Sequence, residues 1–471
     1  MVLPVLRQFA GHLRLATGLA LLLFMAGAAF AQDAAQTPDN EPLTTRDPSG
    51  WLRTFTSSGA IDHSNPFFQS LGTNGRSCNS CHQQHDGWSV SAEDVRKRFD
   101  ATAGTDPIFR PVDGADSPLD DVSTLQARRR AYSMLIAHGV IRIGLPIPVN
   151  AEFTLTAVDD PYHYASAAEL SLFRRPLPAT NLSFLSGVMS DGRETAAPFK
   201  PPMDAGADYA DLIASLTHQA LDATTGHAQG SPPSPEVLAQ IVQFELSLST
   251  AQIYDSRAGF LNADDAIGGP RVLANQRFYV GLNDTLGNDP TGLPFDPTAM
   301  RLFDAWALTS PENRDRQAIL RGEQLFNTLP INITGVAGLN DVTGMPVIQG
   351  HCSSCHNDPN VGNHSDAAPL NIGTSDGSRR TPDMPLYTLT NNATGDSMTS
   401  TDPGLALITG KWQDIGKFKG PILRGLAARA PYFHNGSAAT LMDVLNFYDT
   451  RFNIGMTEQQ KQDLVAFLSA L

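Results

Sequence analysis

Two short segments of the chain carry the same arrangement of cysteine and histidine. Residues 78–82 read CNSCH and residues 352–356 read CSSCH, and together they contain all four cysteines. A single tetrahedral zinc site built from both pairs would leave the histidine after each pair unexplained. A redox dithiol needs only one such pair. Covalent attachment of haem accounts for every residue of the pattern, because each thiol bonds one porphyrin vinyl group and the following histidine binds iron.

The pattern therefore predicts two covalently bound haem c groups. Each histidine would supply the fifth ligand of its iron. The group at the sixth position would then decide whether that iron carries electrons or reacts with a small molecule. The predicted cofactor-binding residues are Cys78, Cys81 and His82 for the first haem, and Cys352, Cys355 and His356 for the second.

The first 31 residues have the features of a secretory signal peptide. Arg7 and Arg14 precede the apolar run at 16–30, and Ala29 and Ala31 supply the small residues of a cleavage site. The run falls short of the roughly 20 apolar residues that span a bilayer, and no later segment reaches that length. We therefore expect an exported, periplasmic protein without stable membrane insertion, with an uncleaved membrane anchor as the alternative.

Composition narrows the class of partner. The chain has 33 Lys and Arg against 48 Asp and Glu, a formal net charge of −15, and 41% hydrophobic residues. The hydrophobic content predicts a globular protein long enough for two haem domains. The acidic balance and the lack of a long basic tract argue against nucleic acid as a partner.

Predicted helices surround the second motif. Residues 311–329 lead into it, and residues 456–471 end the chain with a capping box formed by Thr457 and Gln460. An apolar stripe at helical spacing follows this cap. A helix before a haem motif and another at the chain terminus are typical of the class I cytochrome c fold.

The first half has fewer regular elements and many turn signals. Residues 207–224 and 234–248 have helical periodicity, with Ser234 as the predicted cap. Residues 151–158, AEFTLTAV, alternate apolar and polar and predict a strand of a small hairpin. We predict a mainly α fold with two class I cytochrome c-like haem domains, long loops and a small β-hairpin insertion. The predicted boundaries are a signal peptide at 1–31, a flexible N-terminal segment at 32–50, the first haem domain at 51–260 and the second at 261–471.

Three segments resemble one family. GPILRGLAARAPYFHNGSAATLMDVLNFY, 420–448, resembles the C-terminal haem domain of bacterial di-haem cytochrome c peroxidases and their MauG-like relatives. RRPLPATNLSF with MSDGRE, within 174–194, and FFQSLGTNGRSCNSCH, 67–82, resemble the N-terminal domain of the same family. The resemblance covers most of the chain after the signal peptide, although 100–170 stands apart as an insertion.

The resemblance implies a peroxidase-type oxidoreductase. Hydrogen peroxide would react at the first haem. Electrons would pass through the second haem from a small cytochrome c, a cupredoxin or a protein substrate. Two alternatives remain: a non-catalytic di-haem electron-transfer cytochrome, and a di-haem dioxygenase of the rubber-oxygenase type. The sequence leaves the donor and the oligomeric state open.

The resemblance also implies a sixth ligand for the second iron. The peroxidase branch of the family places a methionine after the APYFH segment, and the MauG branch places a tyrosine there. The corresponding residue is Tyr448, which shares one predicted helical face with Leu441. The alternative is that Tyr448 packs in the core and that Met442 or Met456 binds the iron.

At the first haem, the family uses a glutamine and a glutamate beyond its Asp-Gly-Arg run. Gln219 matches the glutamine. No glutamate follows at the expected distance, and His227 is the nearest titratable replacement for acid–base work. The alternative is that both residues belong to an exposed helix and loop. No histidine occurs near 95–100, where some relatives carry a displaceable ligand, so we predict an open sixth position opposite His82.

Two further expectations come from the resemblance. Ser190 stands where the family has the tryptophan between its haems, which predicts weaker electronic coupling unless Trp88, Trp306 or Trp412 takes its place. The family also holds a calcium ion between its domains. Asn181 and Pro431 lie in the matching segments, so one calcium ion is a predicted cofactor.

Overall fold

The computed structural model describes residues 43–195 and 205–471, in which helices alternate with short antiparallel sheets. The predicted signal peptide and residues 32–42 lie outside the described residues. The α-helices of the described part are α1 (Ala92–Thr102), α2 (Leu125–Ala131), α3 (Ser133–His138), α4 (Ala205–Asp222), α5 (Pro235–Leu246), α6 (Pro270–Leu273), α7 (Trp306–Thr309), α8 (Arg314–Thr328), α9 (Asn340–Thr343), α10 (Ala406–Thr409), α11 (Leu441–Phe452) and α12 (Glu458–Ser469).

The strands of the described part form four small sheets. They are β1 (Thr44–Arg46), β2 (Gly50–Thr56), β3 (Ile141–Leu145), β4 (Phe153–Asp159), β5 (Leu170–Arg174), β6 (Leu248–Asp255), β7 (Gly259–Phe260), β8 (Ile331–Thr334), β9 (Val347–Gly350), β10 (Leu386–Asn391) and β11 (Ser397–Ser400). The sheet orders are β1-β2-β6-β7, β11-β10-β4, β3-β5 and β8-β9. The prediction of a mainly α fold is therefore confirmed only in part, because these sheets accompany the helices.

The predicted hairpin strand forms but has a distant partner. Residues 153–159 are β4, whose Leu155 pairs with Leu389 of β10. Neighbouring strands β3 and β5 pair with each other instead. The buried Tyr387 hydroxyl on β10 donates to the Ser171 carbonyl at 2.7 Å. The insertion is thus joined to the C-terminal half, and the expectation of a small hairpin around 151–158 was wrong because β4 pairs with β10, a strand of the C-terminal half.

The end of the predicted flexible segment is also ordered. Thr44–Arg46 form β1 and pair with β2, so their backbone groups are satisfied within a sheet. The prediction of flexibility through residue 50 was therefore wrong for these residues. Polar composition predicted flexibility there, but residues 44–46 pair with β2 across a short turn.

The predicted helices are confirmed together with their caps. Ser234 accepts a hydrogen bond from the Val237 amide at the start of α5, with proline at the first helical position. Thr457 and Gln460 form the capping box of α12. Each such cap typically contributes about 1 kcal/mol to helix stability. The stretch 311–329 contains α8, which begins after the capping residue Asn313.

Helices α8 and α12 pack closely around the core of the C-terminal half. A Cβ at Gly322 would lie 2.0 Å from the Asp463 carbonyl oxygen, so only glycine allows this approach. Phe326 and Phe467 meet at the crossing with ring centroids 5.6 Å apart. Residues 43–471 form one compact unit, and the boundary between 260 and 261 stays a prediction. Among the described helices, none has both the length and the apolar character needed to cross a bilayer.

Candidate haem sites and the cavity beside His82

The two Cys-x-x-Cys-His segments have the same local structure. Cys78–Ser80 and Cys352–Ser354 each form one 3-10 turn. In the first, the Ser80 hydroxyl accepts from the Ser77 amide at 3.0 Å, and in the second Ser354 accepts from the His351 amide at 2.9 Å. All four cysteines are free and partly exposed. Each turn therefore presents two thiols that are available for attachment.

Both motif histidines are oriented by a backbone carbonyl. The Nδ1 atom of His82 lies 3.0 Å from the Trp88 carbonyl oxygen, and that of His356 lies 2.6 Å from the Gly362 carbonyl oxygen. A carbonyl can only accept, so Nδ1 donates and Nε2 keeps the lone pair that iron requires. Burial lowers the pKa of His82, and it lowers the pKa of His356 to about 4, which keeps both rings neutral.

The two orienting carbonyls belong to residues with left-handed backbones. Gly362 has φ of 79°, which glycine adopts without strain, whereas Trp88 has φ of 59°, which is rare for a bulky residue. The Trp88 side chain is buried between Phe67 and Phe244, and its indole N–H donates to the Thr54 hydroxyl at 2.9 Å. Burial of this ring therefore holds the backbone that orients His82.

A cavity lies beside the first motif. Its lining includes the three residues predicted to bind the first haem and the two predicted to act on peroxide. These residues come from both halves of the predicted first domain. Gln219 lies on α4 and His227 lies just beyond it. The alternative of an exposed helix and loop does not describe this position, because both side chains line the cavity. The five residues are Cys78, Cys81, His82, Gln219 and His227.

The end of α4 explains how His227 reaches the cavity. The helix continues into a π-helical turn, Ala223–His227. The hydroxyls of Thr224 and Thr225 donate to the carbonyls four residues earlier at 2.9 and 3.0 Å, a contact that loosens regular helical pairing. A Cβ at Gly72 would lie 1.8 Å from the Ala228 carbonyl oxygen. The turn therefore packs directly against the chain that leads into the first motif.

His227 is held by an acidic residue that the sequence analysis missed. Its Nδ1 lies 2.5 Å from Oδ2 of Asp113, whose Oδ1 accepts a hydrogen bond from Arg76. Burial alone would raise the pKa of Asp113, but the charge of Arg76 and the contacts with His227 outweigh it and lower the pKa. Arg76, Asp113 and His227 thus form a charged chain along one wall of the cavity.

Four buried cations line the same cavity without a carboxylate partner among the described residues. Burial lowers the pKa of Arg175, Arg424 and Arg429 to about 10 and that of Lys419 to about 8. The Nε atoms of the three arginines lack any hydrogen bond. Buried cations need a counter-charge, and haem carries two propionate groups. Free thiol pairs, neutral histidines and orphaned cations therefore fit haem c.

One buried acid faces the cavity as well. Glu245 lies on the buried face of α5 with Leu238 and Ile241. Its Oε2 atom has no hydrogen-bond partner, and burial raises its pKa to about 8. The sequence contained a signal for this burial, because positions 238, 241 and 245 follow helical spacing. The carboxyl group is therefore neutral at pH 7.

The second site places Tyr448 near its motif. Helix α11 begins with a capping box between Thr440 and Asp443. Burial, together with the thiols of Cys355 and Cys352, raises the pKa of Tyr448 well above its usual range. The Tyr448 side chain thus belongs to the surroundings of the second motif.

The alternative methionine ligands lie in different surroundings. Met456 is buried in the C-terminal core, against which Cys352 also packs, and Met442 is half-buried on α11. Ligation of the second iron by Tyr448 therefore stays a prediction, with Met442 and Met456 as the alternatives.

Ser190 and the three tryptophans that could replace the aromatic bridge lie in different surroundings. Ser190 lines the cavity, and its carbonyl accepts from the Lys419 amide at 2.8 Å. Trp88 lies behind His82, Trp306 stacks on Phe303 in the C-terminal core, and Trp412 packs near Phe153. Weaker coupling between the haems stays a prediction.

The groups proposed for calcium already have protein partners. The Asn181 side chain donates to the Thr250 carbonyl at 2.9 Å and accepts from the Thr250 amide at 2.8 Å. The Pro431 carbonyl accepts from the Arg175 guanidinium. Each of these oxygens keeps a second lone pair, so a calcium ion at this position stays a prediction.

Paired thiols, neutral histidines and a cavity with buried cations define a c-type haem protein. Residues 417–454 match the family model described as RoxA-like, cytochrome c-like. The chain is 34% identical over 225 residues to the cytochrome-c peroxidase IdrP1 of Denitromonas iodatirespirans, covering 43% of this chain and 50% of the relative. It is 29% identical over 226 residues to IdrP1 of Pseudomonas sp. (strain SCT), with the same coverage. The chain spans about half the length of the curated relatives it matches.

Solved structures add distant similarities. A MauG-like protein associated with microbial copper homeostasis aligns over 93% of this chain and 94% of its own, with 15% identity and a TM-score of 0.38. A variant of the diheme peroxidase BthA from Burkholderia thailandensis aligns over 91% and 95%, with 17% identity and a TM-score of 0.30. The predicted resemblance to cytochrome c peroxidases is confirmed by the curated relatives.

Proposed function

We propose that this protein is a periplasmic di-haem peroxidase that reduces hydrogen peroxide at the His82 site. The observation that carries the proposal is the single cavity in which the first motif meets Gln219 and the Asp113-supported His227. Such a cavity combines an attachment site for haem with a proton-transferring group, which peroxide reduction requires and simple electron transfer does not.

When bound, haem supplies the redox-active iron at which peroxide gains electrons. Reduction of one peroxide molecule to two water molecules consumes two electrons and two protons. The Nε2 atom of His227 would take a proton from one peroxide oxygen and return it to the other, which leaves as water. The Gln219 amide would orient the peroxide by donating a hydrogen bond. His82 would hold the iron through Nε2.

The electrons would come from outside the protein through the second haem. His356 and Tyr448 would hold its iron. A phenolate ligand stabilises ferric iron and lowers the reduction potential, so this site would hold an oxidising equivalent better than it relays electrons. The donor would be a small cytochrome c, a cupredoxin or a protein substrate, as in MauG-like proteins.

The test is stopped-flow mixing of the ferric holoprotein with peroxide, with and without a reduced cytochrome. We expect His227→Gln to slow the reaction with peroxide by about 10²- to 10⁴-fold, the usual contribution of a general acid–base group. His218→Gln is the matched control, because His218 lies on α4, the helix that leads into the turn with His227, and its side chain is 59% exposed. A wild-type rate in the His227→Gln variant, or no reaction of the parent protein with peroxide, would refute the proposal.

A further inference from the structure

The segment 100–170, which has no counterpart in the family resemblance, contributes a residue to the cavity. Asp113 lies in the loop between α1 and α2, and its side chain is 5% exposed. Its carbonyl accepts from the Arg142 amide of β3 at 2.7 Å, so the sheet β3-β5 anchors the loop. The insertion is thus part of the wall that faces His82.

We infer that Asp113 is a positioning residue that fixes the ring orientation and tautomer of His227, an inference that rests on the proposed function. The contact of 2.5 Å joins Asp113 Oδ2 to Nδ1 of His227. An ionised carboxylate only accepts hydrogen bonds, so Nδ1 carries the proton and Nε2 keeps its lone pair toward the cavity. His227 can then accept a proton there without first changing tautomer.

Arg76 keeps the Asp113 carboxylate in place and ionised. Its guanidinium donates to Asp113, and it also donates to the carbonyls of Pro107 at 2.8 Å and Ile108 at 2.6 Å. The side-chain amide of Asn74 donates a hydrogen bond to the His227 backbone carbonyl at 2.8 Å. Two residues beyond Arg76 the chain reaches Cys78. The positioning network is therefore attached to the same segment that carries the first haem motif.

The buried cations Arg175, Lys419, Arg424 and Arg429 and the acid Glu245 line the same cavity, but among the described residues the carboxylate in contact with His227 is Asp113, which makes the effect of Asp113 separable. From the loop after α1 it faces Asp113, from the segment before the first motif it faces Arg76, and across the cavity it faces His82. Arg76 and Asp113 offset each other as a buried pair. Neutralising Asp113 would leave His227 beside an unbalanced arginine, which disfavours the protonated ring and frees the ring to flip.

The inference is tested on the holoprotein with Asp113→Asn, Asp113→Glu and the control Asp106→Asn. Asp106 belongs to the same loop but pairs with Arg98 at 2.5 Å. Haem content and ferric spectrum are recorded first. The rate of reaction with peroxide and the rate of cyanide binding, which needs a base to take the proton of HCN, are then measured from pH 5 to 9.

We expect Asp113→Asn to slow both reactions by at least about tenfold, since an Asp-to-Asn change at a histidine partner favours the wrong tautomer. We also expect the acid limb of both pH profiles to move to lower pH. Asp113→Glu should keep the charge and recover part of the rate, and Asp106→Asn should match the parent. If Asp113→Asn does not accumulate with haem, the Asp113→Glu profile decides, because a slowed reaction with an unmoved acid limb supports positioning.

Several outcomes would overturn the inference. An unmoved acid limb and unchanged rates in Asp113→Asn would do so, as would equal losses in Asp113→Asn and Asp106→Asn. If Asp113→Asn does not accumulate with haem, parental rates in the Asp113→Glu variant would also overturn the inference. The His227→Gln variant separates this failure from that of the proposed function. If His227→Gln is slow and Asp113→Asn is not, only the positioning role fails; if His227→Gln is not slow, the acid–base proposal fails.

Discussion

Replacement of Glu245 by glutamine should stabilise the folded protein at neutral pH and leave its stability unchanged at acid pH. The Glu245 side chain is buried beside the His82 cavity, and its Oε2 atom lacks a partner. Burial raises its pKa from 4.5 to about 8. The folded protein therefore keeps the proton over a pH range in which the unfolded chain loses it.

The sign and size follow from proton linkage. The stability contribution is fully present below pH 4.5 and is lost progressively as the pH rises toward 8, because the unfolded state binds fewer protons than the folded state. The loss is about 1.4 kcal/mol per pH unit, so it reaches about 3 kcal/mol at pH 7 as an upper bound. Glutamine does not titrate, and the variant should regain this amount.

Guanidinium unfolding of the holoprotein at pH 5 and pH 7 measures the effect. Glu236→Gln is the control, because Glu236 lies at the exposed start of the same helix and its pKa is lowered by hydrogen bonding to Ser234. The difference between Glu245→Gln and the parent should grow between the two pH values, while that of the control stays flat. An equal difference at both values would refute the reasoning, since it would mean that Glu245 is ionised in the folded protein.

Two further predictions concern the halves of the chain. Arg174→Met should lower the free energy of unfolding by about 3–5 kcal/mol, because it leaves the buried carboxylates of Asp191 and Asp402 without their shared cation. The control Arg301→Met breaks an exposed pair and should lower it by less than about 1 kcal/mol. Equal losses in the two variants would contradict this prediction. Tyr448→Phe should change the ferric absorption spectrum of the second haem, and Met456→Leu should not; the opposite pattern would assign the ligand to Met456.

The parts of the account that were predictable rest on local chemistry. Each haem motif is read from five consecutive residues, and the caps at Ser234 and Thr457 involve partners within three positions. Gln219 and His227 came from the family resemblance, and the structure places both at the cavity with His82.

The remaining parts depend on contacts between distant segments. Asp113 lies 37 residues from Arg76 and 114 residues from His227, and no sequence motif links the three residues. Strand β2 pairs with β6 so that Thr54 faces Thr250, and neither segment reveals the other. Alternation predicted β4 but not its partner, because the sequence period defines which face is buried and not which edge is available.

Titration of the ferric holoprotein with cyanide, followed by electron paramagnetic resonance, tests the central claim most directly. The account predicts one high-spin haem per chain, which converts to low spin with one equivalent of cyanide while the second haem does not respond. A spectrum without any high-spin haem before cyanide is added would contradict it, because a protein atom would then occupy the position opposite His82 where peroxide has to bind.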